Sequence, residues 1–364
     1  MRRSALITAA VAALALSSCS AAGAFDAAAA PVPATVVARP PDVTVAGTIA
    51  TGLTSPWGLA FLPDGSALIT ERDTALVKRI PRDGRGPVRT VGRVRGVVPN
   101  GEGGLLGIAV PPGDDPGFVF AYYSGASDNR VVRIAWDGTR LGRQTPILTG
   151  IPLNSYHDGG RLLVGPGSTL FVGTGDAGDA SLSQRRSSLA GKILKITFDG
   201  KPAPGNPFPR SPVYSLGHRN VQGLAFDGAG RLWASEFGQS DADELNLIRP
   251  GANYGWPVHE GAADDDRYAN PAVQWSPTST ASPSGITVAG SAAYVASLRG
   301  EVLWQVPLAG TRAGRPIALR LGDLGRLRTV TSAPDGSLWL VTSNTDGRGS
   351  PRARDDRVLR LSID

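Results

Sequence analysis

Six times along this chain a short apolar strand runs into a tight turn and a second apolar strand follows, and no other feature narrows the fold as far. The first strands fall in segments 58–65, 107–113, 161–167, 223–230, 285–290 and 328–336, each opening on glycine or arginine and meeting a turn rich in Gly, Pro or Asp. Partner strands follow at 67–70, 170–173, 232–235 and 338–341. Apolar alternation at period two around an Asp-Gly or Pro-Gly turn is a hairpin signal. The units recur at spacings of about 45 to 65 residues, as propeller blades do. One blade cannot bury both faces of its sheet, so its neighbours must supply the core. Six repeats therefore predict an all-β, six-bladed β-propeller of four-stranded antiparallel blades around a central channel. A pair of β-sandwiches is the alternative. The 47 glycines and 29 prolines suit a chain of many turns, and residues 182–189 are the best candidate for a short helix.

The N-terminal segment limits that body. Arg2 and Arg3, followed by an apolar run over 5–16, read as an export signal too short to span a bilayer comfortably. The run ends in Leu16-Ser17-Ser18-Cys19, which resembles a bacterial lipobox, a signal cut before a cysteine that then carries lipid. Cys19 is the only cysteine, so no intramolecular disulfide is possible. The expected organisation is a signal peptide over 1–18, a lipidated Cys19 with an Ala/Pro-rich tether over 19–45, and a propeller over 46–364. That places an exported protein on the outer face of the bacterial cytoplasmic membrane, held by its lipid. A plain signal peptide with an incidental cysteine is the alternative. No second segment is long and apolar enough to cross a membrane.

The net charge is +6, or +4 once Arg2 and Arg3 leave with the signal. The basic residues, nearly all arginine, read as dispersed rather than gathered in a stripe with interleaved aromatics, which argues against a nucleic-acid partner. Most suit a solvated surface, and a few are available to meet an anionic small ligand. Nothing in the composition sets an oligomeric state.

Propellers bind ligands at one end of the channel, where the loops leading into the innermost strands converge. Several polar residues fall in phase there. His157, in Tyr156-His157-Asp158-Gly159-Gly160, precedes the third repeat, and Asp176 follows in Gly175-Asp176-Ala177-Gly178. Glu102 precedes the second repeat, Arg219 and Asn220 the fourth, and Arg326 and Arg328 lead into the sixth. Histidine is the side chain suited to accept a proton near neutral pH, and a carboxylate nearby orients it. Plain structural readings stand beside these. Asp176 also reads as a turn cap, Arg326 and Arg328 as a solvated edge, and Asp241, Asp243 and Glu244 as a solvated acidic loop. His218 and His259 read as structural, and Trp233, Trp256 and Trp339 as blade packing.

Over 46–364 the chain resembles the soluble glucose/sorbosone dehydrogenases, six-bladed propellers that oxidise aldoses with pyrroloquinoline quinone (PQQ) and calcium. The resemblance is carried by segments 58–65 and 103–107, the His157 and Asp176 motifs, segments 189–196, 217–223, 234–238, 243–246 and 253–257, and Arg326-Leu327-Arg328. It implies that His157 is the general base for the sugar's anomeric hydroxyl, with Asp176 as its partner. It implies Arg219 and Asn220 at the quinone's carbonyl edge, where Arg219 would stabilise developing negative charge. Arg326 and Arg328 match ligands of the cofactor's carboxylates. Calcium would take the backbone carbonyls of Gly238 and Gln239, and Glu244 and Tyr254 match a further calcium site.

Departures from the glucose-oxidising members accompany the match. Glu102 replaces a glutamine and adds negative charge, and Arg299 is the nearest counterpart of a cofactor-contacting lysine. A pocket aromatic falls in the Thr278 region, with Trp275 nearby. The loop after Asp176 is short. The implied function is oxidation of an aldose to a lactone, with hydride passing to PQQ and electrons to an external acceptor. Two other classes remain open. One is a non-catalytic surface propeller binding a saccharide or protein. The other is a lactonase-like hydrolase with a metal held by Glu102, Asp176 and Asn220.

Overall fold

The computed structural model describes residues 41–364. The expected signal peptide, Cys19 and nearly all of the tether lie outside the described residues. Six antiparallel sheets form six blades in a ring, a six-bladed β-propeller, and in all but the sixth the strands step outward in chain order. Blade one is Pro56–Phe61, Ala67–Glu71, Leu76–Ile80 and Arg89–Arg93. Blade two is Leu105–Ala109, Phe118–Ser124, Asn129–Trp136 and Leu141–Ile151. Blades three and four start at Leu162–Gly165 and Val221–Phe226, five and six at Pro283–Ala289 and Leu327–Ser332. The outer edge of blade five is split, because Leu303–Ala309 pairs with both Arg312–Ala313 and Ile317–Leu319.

Blade six draws on both ends of the described chain. Val43–Ala50 pairs antiparallel with Val358–Ile363 and closes the ring. The body thus begins earlier than residue 46, because this strand is needed to complete a sheet. Among the described residues the only helical pieces are the single turns Ser181–Gln184 and Thr278–Thr280. The candidate helix over 182–189 shrinks to the first of these.

Five of the six apolar clusters join two neighbouring blades, and the other joins blades two and three with Trp57 of blade one added. Leu68, Val77 and Val91 of blade one meet Ile108, Val119 and Val132 of blade two. Trp233 and Leu245 of blade four meet Ile286 and Val295 of blade five. Trp339 and Val358 of blade six meet Leu59 and Ile69 of blade one. The core is therefore a set of blade-to-blade seams, as a stack of half-buried sheets requires.

Around the channel the innermost strands touch backbone to backbone, which explains the glycine that opens most repeats. A Cβ on Gly107 would fall 2.2 Å from the Gly160 carbonyl oxygen of the next blade. One on Gly223 would fall 2.4 Å from the Ser284 oxygen. Beside these glycines the inner strands of blades one, two, four, five and six each carry a register shift. Such bulges re-aim side chains at a strand end, here at the end where the inner strands start.

Gly107→Ala is expected to cost about 3 kcal/mol, the upper end of an overpacking penalty. Gly228→Ala, where nothing lies within 4 Å of the added methyl, should leave stability within about 0.5 kcal/mol. Urea midpoints of the two variants check the contrast, and equal midpoints would remove the close approach as the reason for the repeated glycine.

Candidate active site

A cavity of about 400 Å³ opens where these loops converge. Arg72 lines it from blade one, Arg299 from blade five, and Arg326, Arg328 and Arg348 from blade six, so five guanidiniums face two carboxylates, Glu102 and Asp346. Gln222 and Ser282 add polar groups, and Phe237 and Leu298 an apolar wall. Arg326 Nε and Arg328 Nη2 both donate to Asp346 Oδ2, at 3.0 and 3.3 Å. Arg328 Nη1 donates to Gln222 Oε1 at 2.8 Å, while its buried Nε has no partner. Arg72 donates to the Asp346 carbonyl at 3.0 Å and to Asp73. Arg299 is exposed and enters no ion pair among the described residues.

Arg161 lies behind this cluster. Its guanidinium sits 4.2 Å from the Trp57 ring centre, with Arg328 at 5.9 Å from the same ring. It donates to the Gln222 carbonyl at 2.7 Å and to Thr329 Oγ1 at 3.1 Å, and no carboxylate balances it. Burial, reinforced by the Arg328 charge, pushes Arg161 down to about 9, and burial pushes Arg328 to about 10 against the opposing pull of Asp346. Both remain cations at neutral pH. The cavity thus carries an excess of buried positive charge, suited to a ligand with several anionic groups.

Beside it stands the pair read from sequence. His157 Nδ1 donates to Asp176 Oδ1 at 2.7 Å. The carboxylate can only accept, so Nδ1 carries the proton and Nε2 is left as an acceptor. The Gly178 amide and Trp256 Nε1 hold Asp176 at 2.8 and 2.9 Å. Burial would raise the Asp176 carboxyl, but the hydrogen bonds from His157, Gly178 and Trp256 outweigh it and hold it below the usual range. His157 has φ of 61°, and a Cβ on Gly175 would lie 1.8 Å from its carbonyl oxygen. The imidazole is therefore set by a strained turn pressed against a glycine. Trp256 is not blade packing, as its sequence suggested, but a donor to the site's carboxylate.

Arg219 and Asn220 join the same cluster. Asn220 Oδ1 accepts the Gly159 amide at 3.0 Å, and its Nδ2 is buried without a partner. Arg219 lies 5.3 Å from the Trp256 ring centre, its Nη1 donates to the Gly238 carbonyl at 2.6 Å, and its Nε has no partner. Behind it, Ser215, His218 and Glu236 are linked at 2.8 and 3.0 Å, and Glu236 Oε2 accepts the Arg219 amide. That chain has the order of a nucleophile triad, but His218 and Ser215 are fully buried. It supports Arg219 and meets no substrate.

Glu102 places less free negative charge in the cavity than its replacement of glutamine suggested. Its carboxylate accepts the His157 amide at 3.1 Å and pairs with Arg348 at 2.9 Å. Glu102, Asp176 and Asn220 all have oxygens committed to protein donors. Those commitments weigh against a lactonase-like cluster on these three residues. Thr278 does not line the cavity, and Trp275 is buried against Trp304. Phe237 is the aromatic wall instead.

Gly238, Glu244 and Tyr254 border one small cavity of about 10 Å³, together with Glu236 and Glu260. Gln239 does not line it but sits on an exposed turn. There the amides of residues 239, 240, 241 and 242 all donate to Glu260 Oε1. Asp243 and Glu244 are buried, so they are not a solvated acidic loop. Burial and the charge of Glu236 push Glu244 up to about 8. The Tyr254 hydroxyl donates to the Leu247 carbonyl at 2.7 Å and accepts the Arg249 amide at 2.9 Å, so it is already committed within the protein. Both Glu244 oxygens already accept protein donors, Asn246 Nδ2 and the Gly261 amide, each at 2.8 Å, and the Gly238 carbonyl accepts Arg219 Nη1, so a hard cation here would have to share or displace those bonds.

Reading the sequence alone missed Arg72, Phe237, Asp346, Arg348, Trp256 and Lys192. Fully buried Lys192 donates to the carbonyls of Leu182, Ser183 and Ala190 at 2.7, 2.9 and 2.6 Å, pinning the loop that follows Asp176. Burial pushes its ammonium down to about 7.

The family model described as glucose/sorbosone dehydrogenase matches residues 53–353. The chain is 32% identical over 259 residues to quinoprotein glucose dehydrogenase B of Acinetobacter calcoaceticus, covering 61% of this chain and 54% of that protein. It is 28% identical to the aldose sugar dehydrogenase YliI of Escherichia coli, over 82% of this chain and 91% of that one. A solved PQQ-bound aldose sugar dehydrogenase from Streptomyces coelicolor superposes with a TM-score of 0.85 at 53% identity, covering 90% of this chain and 100% of that one.

Asp158, next to His157, gives the site's electrostatics a reading that needs no ligand. Its Oδ2 is buried with no partner. Burial pushes it up to about 6, against hydrogen bonds from Asn129 and Asn154. The folded protein therefore keeps a proton that the unfolded chain releases above pH 4 or so, and stability falls as pH rises from there through about 6. Asp158→Asn removes that penalty. Relative to the unsubstituted chain it is expected to gain up to about 3 kcal/mol at pH 8 and little at pH 4, read from urea midpoints at each pH. A gain independent of pH would contradict this.

Proposed function

The chain belongs to the glucose/sorbosone dehydrogenase family, and from that premise we propose that it oxidises an aldose at the anomeric carbon to the lactone. The observation that carries this reading is the His157–Asp176 pair beside a cavity with an excess of buried arginine. PQQ is an anionic tricarboxylate, and the donors present fit it. Arg326, Arg328, Arg72 and Arg299 would take its carboxylates, and the unpartnered Nε of Arg219 and Nδ2 of Asn220 would meet acceptor oxygens. When bound, PQQ supplies the two-electron acceptor that takes the substrate's hydride and passes electrons to an external acceptor.

The protein's own groups do the rest. Asp176 holds the His157 tautomer so that Nε2 accepts the proton of the anomeric hydroxyl. Trp256 and the Gly178 amide keep Asp176 ionised and oriented. Arg219, held by Glu236 from behind and stacked on Trp256, presents its charge where negative charge develops. Phe237 and Leu298 exclude water from one wall. Calcium would take the carbonyl of Gly238 in place of Arg219 Nη1, with Glu244 and Tyr254 bordering a further position. When bound, it supplies a Lewis acid and offsets the like charges of Glu236 and Glu244. Export and a lipid on Cys19 are supported by the N-terminal sequence and belong to the same reading.

Titrating the calcium-loaded protein with PQQ, then adding aldoses and an artificial acceptor, tests it. Saturable absorbance changes and sugar-dependent reduction are expected. His157→Ala should lose at least about a thousandfold in kcat, the scale of a positioned base plus its orientation, while PQQ still binds. Arg326→Ala should weaken PQQ binding instead, through loss of a charged contact and an unpaired Asp346. If the folded, calcium-loaded protein binds no PQQ, the reading fails in favour of a non-catalytic propeller.

A further inference from the structure

We propose that the outer wall of blades one and two is a docking surface for an anionic lipid bilayer. The inference stands apart from the catalytic reading. Residues 78–95 contain seven basic residues and one acidic, so this stretch alone carries +6, as much as the whole chain. It spans the two outer strands of blade one, Leu76–Ile80 and Arg89–Arg93, and the turn between them. Arg82, Arg85, Arg89, Arg93 and Arg95 are exposed.

Blade two extends the wall. Arg79 donates to the Gly138 carbonyl at 3.0 Å, and Arg95 and Gln144 exchange two hydrogen bonds, at 3.1 and 2.9 Å. These contacts bring exposed Arg140 and Arg143 alongside. None of these seven exposed arginines forms an ion pair among the described residues. The acids nearby are already engaged, Asp64 with Arg79, and Asp83 and Asp137 with backbone amides of their own turns. Arginines that read as dispersed in sequence are thus gathered by the fold.

The chemistry favours a bilayer over other polyanions. An open depression of about 400 Å³ between Arg79, Arg82, Arg85 and Arg89 suits a phosphate headgroup. No aromatic side chain occurs in 78–95 or 137–144 to stack on a base, which nucleic-acid surfaces use. The wall lies on outer strands, whereas the cavity arginines sit at inner-strand starts, so a redox partner docked here would stand off the cavity. Connectivity points the same way. The apolar run over 5–16 and Cys19 lie upstream of Val43–Ala50, and the Ile49 backbone in that strand abuts Gly84 in the basic turn, 3.1 Å from where a Cβ on it would fall. A polybasic surface of this size binds anionic lipid in a salt-dependent way.

Every strand of the ring lies within residues 43–363, so a chain starting at residue 20 keeps the whole fold and has no lipid or apolar leader. In vesicle flotation it is expected to partition at least ten-fold more into phosphatidylglycerol-containing vesicles than into phosphatidylcholine ones, with the difference lost at high salt. Arg82→Glu/Arg85→Glu/Arg89→Glu should abolish that preference. Arg312→Glu/Arg315→Glu/Arg320→Glu, an equal charge change on blade five, should retain it. If the first variant melts abnormally by circular dichroism, Arg140→Glu/Arg143→Glu takes its place, with at least a three-fold loss expected. Equal partition into both vesicle types, or equal loss in the blade-one and blade-five variants, overturns the proposal. So does nucleic-acid binding that survives salt at which vesicles are released.

Discussion

Everything in this molecule depends on how closely six inner strands can crowd one axis. A side chain at the point of contact would hold neighbouring strands apart, and Gly107 and Gly223 supply the missing Cβ where the next blade's carbonyl oxygen arrives. Hydroxyls stitch the same seams, as where Thr329 donates to the Trp57 carbonyl and Thr70 to that of Leu106, both at 2.6 Å. Because the strands meet this tightly, the loops at their starts are also brought together. A polar cluster built from residues as far apart as 102 and 348 needs no other organising force.

The site is where this fold departs from what stability alone would favour. Arg161 is buried on an indole ring with no carboxylate to balance it, and Arg326 and Arg328 share one acid. Asp158 leaves an oxygen unpaired in the interior, and His157 holds a left-handed backbone. Buried cations without partners are costly, and strain of this kind gathers where a site needs it. An anionic ligand in the cavity would answer the charge excess, so these local costs point to the chemistry the cavity suits.

The fold was legible because it repeats. Six hairpins at blade spacing, four led by glycine and two by arginine, state the architecture six times, and the register of each sheet follows from the same alternation. The site was legible where residues sit in phase with those hairpins, as His157, Glu102, Arg219, Arg326 and Arg328 do. Their partners were not. Trp256 reaches Asp176 from a turn 80 residues away, Arg348 meets Glu102 across the channel, and Phe237 forms the wall expected near Thr278. No local pattern marks such residues, because their role is created by ring closure. The basic wall escaped notice for a related reason. A strand of alternating arginine and apolar residues looks ordinary until the neighbouring blade adds its own.

The way the ring closes also ties its ends to its centre. Blade six holds Arg326, Arg328 and Asp346, yet it is complete only when residues 43–50 lie along 358–363. A ligand that requires those three side chains in place binds only the closed ring. By mass action it adds about 2.7 kcal/mol to closure at a hundred times its dissociation constant. The occupant of the channel mouth is then a latch on the two terminal strands while touching neither of them, and its departure is the moment at which the ring is easiest to unfasten.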